Sequence, residues 1–206
     1  MKDLIQKGFR FTVGLYYFVY AQILFSVRYD RQYTRSLWYG FGEHGYRRIM
    51  RPGWKWAVNS YKGNKKLGVN QEVKWPVSPR CTVIIPENIT FDPDDQNIFQ
   101  SYGIYYQAFG RITIGKGTTI GPNVGLITAN HLVSNVGRHD KAKEIRIGEG
   151  CWIGMNSVIL PGVCLGNHVV VGAGSIVTKS FDEDNLVVAG NPARIIRRLE
   201  NTGEKK

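Results

Sequence analysis

An all-β solenoid of short parallel strands is the fold class that the sequence predicts. Three observations carry it: an aliphatic residue at every sixth position, a glycine directly after it, and a small residue four positions on. The aliphatic column runs through Ile114, Ile120 and Leu126, and again through Ile147, Ile153, Ile159, Leu165, Val171 and Val177. Glycine follows in six of these nine hexads, at Gly115, Gly121, Gly148, Gly154, Gly166 and Gly172, although it makes up only 24 of 206 residues. Thr118, Val124, Asn130, Cys151, Ser157, Val163, Val169 and Ser175 occupy the fourth position after the column.

A period of six matches neither the 3.6 of a helix nor the 2 of a lone strand. It suits short strands joined by tight corners, where glycine is expected to supply backbone angles that other residues resist. Three hexads make one coil of about 18 residues, and stacked coils place parallel strands about 4.8 Å apart around the aliphatic column. A Gly-rich sandwich is the competing fold, but its strands keep no six-residue phase.

The phase breaks once, over the 21 residues from Leu126 to Ile147, so a loop at 127–146 leaves the coil. Thr128-Ala129-Asn130-His131 opens that loop. Loops held by a rigid scaffold are frequent sites of chemistry, and histidine is the side chain that exchanges protons near neutral pH. His139 lies in the same loop and is a secondary candidate, either for acceptor binding or as a solvated loop histidine. His168 sits in a coil corner and His44 in the N-terminal part, and both read as structural.

Charge divides the chain. Residues 1–80 hold 15 Lys/Arg against 4 Asp/Glu, whereas residues 81–206 hold 12 of each, so the whole net charge of +11 belongs to the N-terminal part. The expected organisation is a basic, aromatic, partly helical extension at 1–80, the coil at 81–190, and a C-terminal tail with a short helix at 191–206. Three scattered cysteines, Cys81, Cys151 and Cys164, make neither a disulfide framework nor a CxxC metal ribbon, and a reducing cytoplasm fits them.

Residues 11–27 are 17 uncharged positions between Arg10 and Arg28, 13 of them apolar or aromatic. As a helix they span about 25 Å, less than a hydrocarbon core, so an interfacial or partner-packing helix is expected rather than a transmembrane one. No small-x-small cleavage site follows, which argues against a secretory signal. The basic aromatic stretch beyond, with Arg47, Arg48, Arg51, Trp54, Lys55, Trp56, Lys65 and Lys66, suits an anionic bilayer at the inner face of the membrane. A soluble basic cap on the coil explains the same residues equally well, and both readings stand at this point.

The runs CWIGMNSVILPGV (151–163), VGAGSIVTK (171–179) and GNPAR (190–194), with TANH (128–131) ahead of them, resemble the hexapeptide-repeat O-acetyltransferases, among them those acting on maltose, galactosides and polysaccharides. The resemblance covers roughly residues 111–198 and does not extend to residues 1–80. It implies a left-handed parallel β-helix, a cytoplasmic homotrimer with sites between neighbouring subunits, and direct transfer of acetyl from acetyl-coenzyme A to a sugar or polysaccharide hydroxyl. By motif position His131 is then the general base, with Asn130 beside it. Trp152, Gly154, Met155, Ala173, Thr178 and Lys179 line the coenzyme groove, and Arg194 and Arg197 meet its phosphates. Asn97, Tyr105, Tyr106 and Gln107, with His139, are the acceptor-binding candidates. No metal and no nucleic acid are expected.

Two other classes compete. A zinc enzyme resembling the γ-carbonic anhydrases would use three histidines on such a coil, yet 131, 139 and 168 lack the closely placed pair that chemistry needs. A non-enzymatic basic scaffold accounts for residues 1–80 but leaves TANH, VTK and GNPAR unexplained together. Cysteine catalysis is disfavoured because Cys151 occupies a small-residue coil position with no partner histidine in its neighbourhood of sequence.

Overall fold

The computed structural model describes residues 2–34 and 51–200. The chain separates into two compact units at Pro79/Arg80.

In the first unit, helix α1 spans Lys2–Val27 and α2 spans Pro52–Leu67. Proline is tolerated at the first position of α2, where no intrahelical N–H partner is needed. Gly68 ends the helix in the left-handed conformation (φ 68°), its N–H donating to the Asn64 carbonyl. One face of α1, carrying Ala21, Leu24 and Phe25, is buried, as are Trp54, Ala57 and Val58 of α2. Phe18 and Phe25 meet the Trp54 ring edge-on at 5.5 and 6.4 Å. Trp54, read above as part of a bilayer-facing surface, is only 2% exposed and packs inside this unit instead. Arg47 and Arg48 lie outside the described residues.

In the second unit the chain passes in turn through three sheets of parallel strands. After β1 (Thr82–Ile84), β2 (Ile89–Thr90) and β3 (Tyr105–Gln107) come β4 (Ile112–Ile114), β5 (Thr119–Ile120) and β6 (Gly125–Ile127). A hairpin of β7 (His131–Leu132) and β8 (Asn135–His139) interrupts the winding. It resumes with β9 (Ile145–Ile147), β10 (Trp152–Ile153), β11 (Val158–Ile159), β12 (Cys164–Leu165), β13 (Val170–Val171) and β14 (Ile176–Val177). The sheets are β1-β3-β6-β11-β14, β12-β9-β4-β2, and one that begins at β5 and runs through β10 and β13 to β15 (Leu186–Gly190) and β16 (Ala193–Arg198). Trp152 pairs with Val170, Val158 with Ile176 and Cys164 with Arg146, the 18-residue step of three hexads. Across the hairpin Thr119 pairs with Trp152 and Gly125 with Val158, so the excursion is absorbed without loss of register.

All nine aliphatic column residues are at most 3% exposed and form the core. Thr118, Ser157 and Ser175 are buried beside them and are satisfied locally. The Thr118 hydroxyl donates to the Gly148 carbonyl at 2.8 Å and accepts from the Cys151 N–H at 3.0 Å, while the Ser157 hydroxyl donates to the Gly154 carbonyl at 2.6 Å. Asn130, the one exposed member of its column, marks where the chain leaves the coil.

The hexad glycines serve close packing rather than unusual backbone angles. A Cβ on Gly148 would lie 2.4 Å from the Gly166 carbonyl oxygen, and one on Gly154 would lie 2.6 Å from the Ala173 nitrogen. The left-handed residue of each corner stands two positions later and is Gly, Asn or His, as at Gly150, Asn156 and His168. His168 (φ 55°) is thereby a corner residue.

The C-terminal helix expected at 191–206 is not formed over the described part. Ala193–Arg198 is the strand β16, antiparallel to β15. An edge of β15 with unpaired backbone groups accepts a partner strand, and two consecutive β-branched isoleucines favour that over a helix. The exposed Glu183 carboxylate pairs with the Arg198 guanidinium and anchors the end of β16.

Candidate functional site

The loop candidates converge. His131 and His139 face each other across the β7–β8 hairpin, ring centroids 4.3 Å apart and planes inclined by 36°. Phe109 meets His139 edge-on, ring centroids 4.9 Å apart. His131 Nδ1 lies 2.6 Å from the Val136 carbonyl oxygen. A carbonyl only accepts, so Nδ1 carries the hydrogen and Nε2 is left as the nitrogen able to take up a proton.

Beneath the hairpin the chain is held firmly. Thr128 and Ala129 are buried. The Thr128 hydroxyl donates to the Gln107 carbonyl at 2.5 Å and accepts from the Gly110 N–H at 2.9 Å. The Ala129 N–H donates to Gln107 Oε1 at 3.0 Å. Asp140 N–H closes the excursion on the Asn130 carbonyl at 2.8 Å. Gln107, predicted to bind the acceptor, is therefore engaged in fixing the segment that presents His131. The sequence carried no signal for that role, nor for Phe109 or Val136.

Of the other acceptor candidates, Asn97 is exposed in the short turn Gln96–Phe99 and Tyr105 is half-buried on β3. Tyr106 is 0% exposed, its hydroxyl donating to the Ile98 carbonyl at 2.7 Å, so it is a core residue and offers nothing to a substrate. Strand alternation turns it inward between its neighbours.

The coenzyme candidates fall on two edges of the coil. Met155 and Ala173 stand at the corner that leads from the β10–β13 sheet into the β11–β14 sheet, with Met155 43% exposed. Trp152, 58% exposed, precedes them on β10. Thr178 and Lys179 follow β14, on the same edge from which the His131 loop leaves after β6. Gly154 is buried against the next coil, so it spaces the coils and does not reach a groove.

A surface recess of about 460 Å³ holds Lys179 and Arg194 together, with Phe181, Leu186 and the carboxylates Asp182 and Glu183 on its wall. Lys179 Nζ sits 5.7 Å over the Phe181 ring. Two cations over a partly apolar floor fit the phosphates and nucleoside of a coenzyme, Glu183 being already paired with Arg198. Arg197 is exposed on β16 opposite Val187.

Burial pushes the Cys151 thiol above its ordinary range, which removes it as a nucleophile near neutral pH. Among the described residues no three His, Cys, Asp or Glu side chains gather as metal ligands. His168 stands at a corner between β12 and β13, away from the stacked pair.

A family model described as bacterial transferase hexapeptide (six repeats) matches residues 144–179. Two proteins named "Putative acetyltransferase" are similar to the chain. One, from Staphylococcus aureus (strain MRSA252), is 34% identical over 148 residues, covering 67% of this chain and 72% of its own length. The other, from Schizosaccharomyces pombe, is 38% identical over 109 residues, covering 52% of each; the chain thus spans about half the length of that relative. Among solved structures, a hexapeptide-repeat acetyltransferase of Vibrio cholerae complexed with acetyl-coenzyme A is 29% identical, covering 59% of this chain and 69% of that one, with a TM-score of 0.47.

Proposed function

The chain belongs to the bacterial hexapeptide-repeat transferases, and from that premise we propose that it transfers acetyl from acetyl-coenzyme A to a hydroxyl of a sugar or cell-envelope polysaccharide precursor. On this reading the three-sheet winding is a left-handed parallel β-helix. The observation that carries the reading is the His131 geometry: an exposed imidazole whose Nδ1 is committed to the Val136 carbonyl, with Nε2 available as a base.

Nε2 takes the hydroxyl proton as that oxygen attacks the thioester carbonyl carbon. The C–S bond then breaks and the proton passes to the departing thiolate. A base so placed contributes about 10²- to 10⁴-fold. The negative oxygen formed in between needs donors aimed at it, and a backbone N–H in the stretch 152–155 is the candidate supplier. The coenzyme supplies the activated acetyl group; Lys179 and Arg194 hold its phosphates.

Met155 and Ala173 stand on a different edge from His131, so one copy presents two half-sites. We place the complete site between two copies in a homotrimer. The enzyme works in the cytoplasm, where the acetyl donor is made.

The test is acetyl-coenzyme A consumption across a panel of sugars and polysaccharides. His131→Ala should lower turnover by about 10²- to 10⁴-fold while leaving coenzyme binding within about twofold. Undiminished turnover in that variant would remove His131 from the chemistry.

A further inference from the structure

Helix α1 is apolar on two opposite faces, and only one is used within its unit. Ala21, Leu24 and Phe25 lie on the buried face. On the other side Phe9, Leu15, Tyr16, Val19, Ile23 and Val27 are between 38% and 77% exposed. With Thr12 and Tyr20, the spacing 12, 16, 19, 23 and 27 keeps them on one stripe. No charged residue interrupts that stripe between Arg10 and Arg28, and it carries a shallow recess of about 380 Å³.

The stripe is edged by cations. Lys62 of α2 donates to the Tyr16 hydroxyl at 3.0 Å and lies 5.4 and 5.2 Å over the Tyr16 and Tyr20 rings. Lys55 lies 5.9 Å over Tyr17. Lys62, Lys65 and Lys66 are all exposed on the same short helix. Asp30 and Glu72 are the acidic residues among residues 6–34 and 51–79, against ten Lys/Arg. Among the described residues no helix is long and apolar enough to cross a membrane.

We propose that this outward face of α1 lies in the interface of an anionic phospholipid bilayer, with its apolar stripe among the acyl chains and Lys55 and Lys62 at the headgroups. Charge complementarity selects this occupant over a second copy of the chain. Two copies meeting through the stripe would set lysine against lysine across the contact, whereas an anionic headgroup layer neutralises both. An apolar stripe with basic flanks, in a helix too polar to span, is the arrangement that binds in the interface plane. The interfacial helix expected at 11–27 supplies the apolar stripe, while of the stretch 28–75 Lys55 and Lys62 stay exposed at its edge and Trp54 is spent on internal packing. The inference does not depend on the acetyl-transfer reading.

Flotation of the full-length protein tests it, using vesicles of phosphatidylethanolamine with phosphatidylglycerol and, separately, of phosphatidylcholine. The protein should float with the anionic vesicles and at least about tenfold less with the neutral ones, and salt near roughly 0.5 M should weaken the former. Val19→Glu with Ile23→Glu should lower partitioning by about 100-fold or more. Lys55→Gln and Lys62→Gln should each lower it about fivefold. Should the double variant not fold, by circular dichroism, Val27→Glu at a 77% exposed position reads the same face. Three results would overturn the proposal: no flotation with anionic vesicles, partitioning unchanged in the stripe variants, or stripe variants that dissociate an oligomer without altering flotation.

Discussion

Gly154→Ala is the most direct test of why glycine recurs after the aliphatic column. The added Cβ would lie 2.6 Å from the Ala173 nitrogen and 2.7 Å from the Val171 oxygen, both backbone atoms of the next coil. Neither can swing aside, so the coils must separate by about 0.8 Å to reach ordinary contact. The Gly154 N–H to Val171 carbonyl bond, now 2.8 Å, would stretch to about 3.6 Å and be lost. Overpacking costs about 1–3 kcal/mol and a buried backbone bond left unmade about 1–3 more, giving about 2–6 kcal/mol together. Gly174 is the internal control: it takes φ 70°, and nothing stands within 4 Å of its Cβ position. Gly174→Ala should cost only the left-handed strain, about 1 kcal/mol once the stiffer unfolded chain is counted. In urea denaturation, with a slope of about 2 kcal/mol per molar, the midpoint should fall by about 1–3 M for Gly154→Ala and about 0.5 M for Gly174→Ala. Equal costs at the two positions would refute the close-packing account and return the hexad glycines to a conformational role.

Other expectations follow from the site. His139→Ala should lower turnover less than His131→Ala and leave coenzyme binding unchanged in calorimetry, because it removes the stacked support of the base and not the base. Gln107→Leu strands the buried Ala129 N–H and should cost about 1–3 kcal/mol of stability by denaturant titration, with a loss of turnover as the loop origin loosens. Cys151→Ala should retain acetyl transfer in the consumption assay, since its thiol is buried and held protonated. The Arg198 hydrogen bond and charge hold the Glu183 carboxyl below its ordinary range. A lowered folded value means stability that is present above the unfolded value and lost as pH falls through the folded one. Glu183→Gln should therefore flatten the acid side of the melting-temperature profile over roughly pH 3 to 5, by a small amount because the pair is exposed.

Residues 1–80 show where composition misleads. Their positive charge and aromatic content were plain in the sequence, but which aromatics face outward was not. Trp54 is drawn inside by Phe18 and Phe25, while Val19 and Ile23 on α1 are left outside. That partition depends on which helix face meets α2, a choice made by packing two helices together.

The coil's 18-residue pitch and the interruption that carries His131 were legible in the sequence alone, although the excursion is shorter than the expected 127–146, since Ile127 ends β6 and Ile145 begins β9. A one-dimensional stack repeats its contacts at a fixed chain interval, so its core is written as a period. Only the tertiary structure decided that the hexad glycines answer to the neighbouring coil, that Gln107 props up the loop, that His139 stacks on His131, and that residues 193–198 pair with β15 as a strand. The glycine contacts keep the coil's own spacing and are decided by the distance between coils; the other three join positions whose separation follows no period, and all of them exist only once the chain has wound.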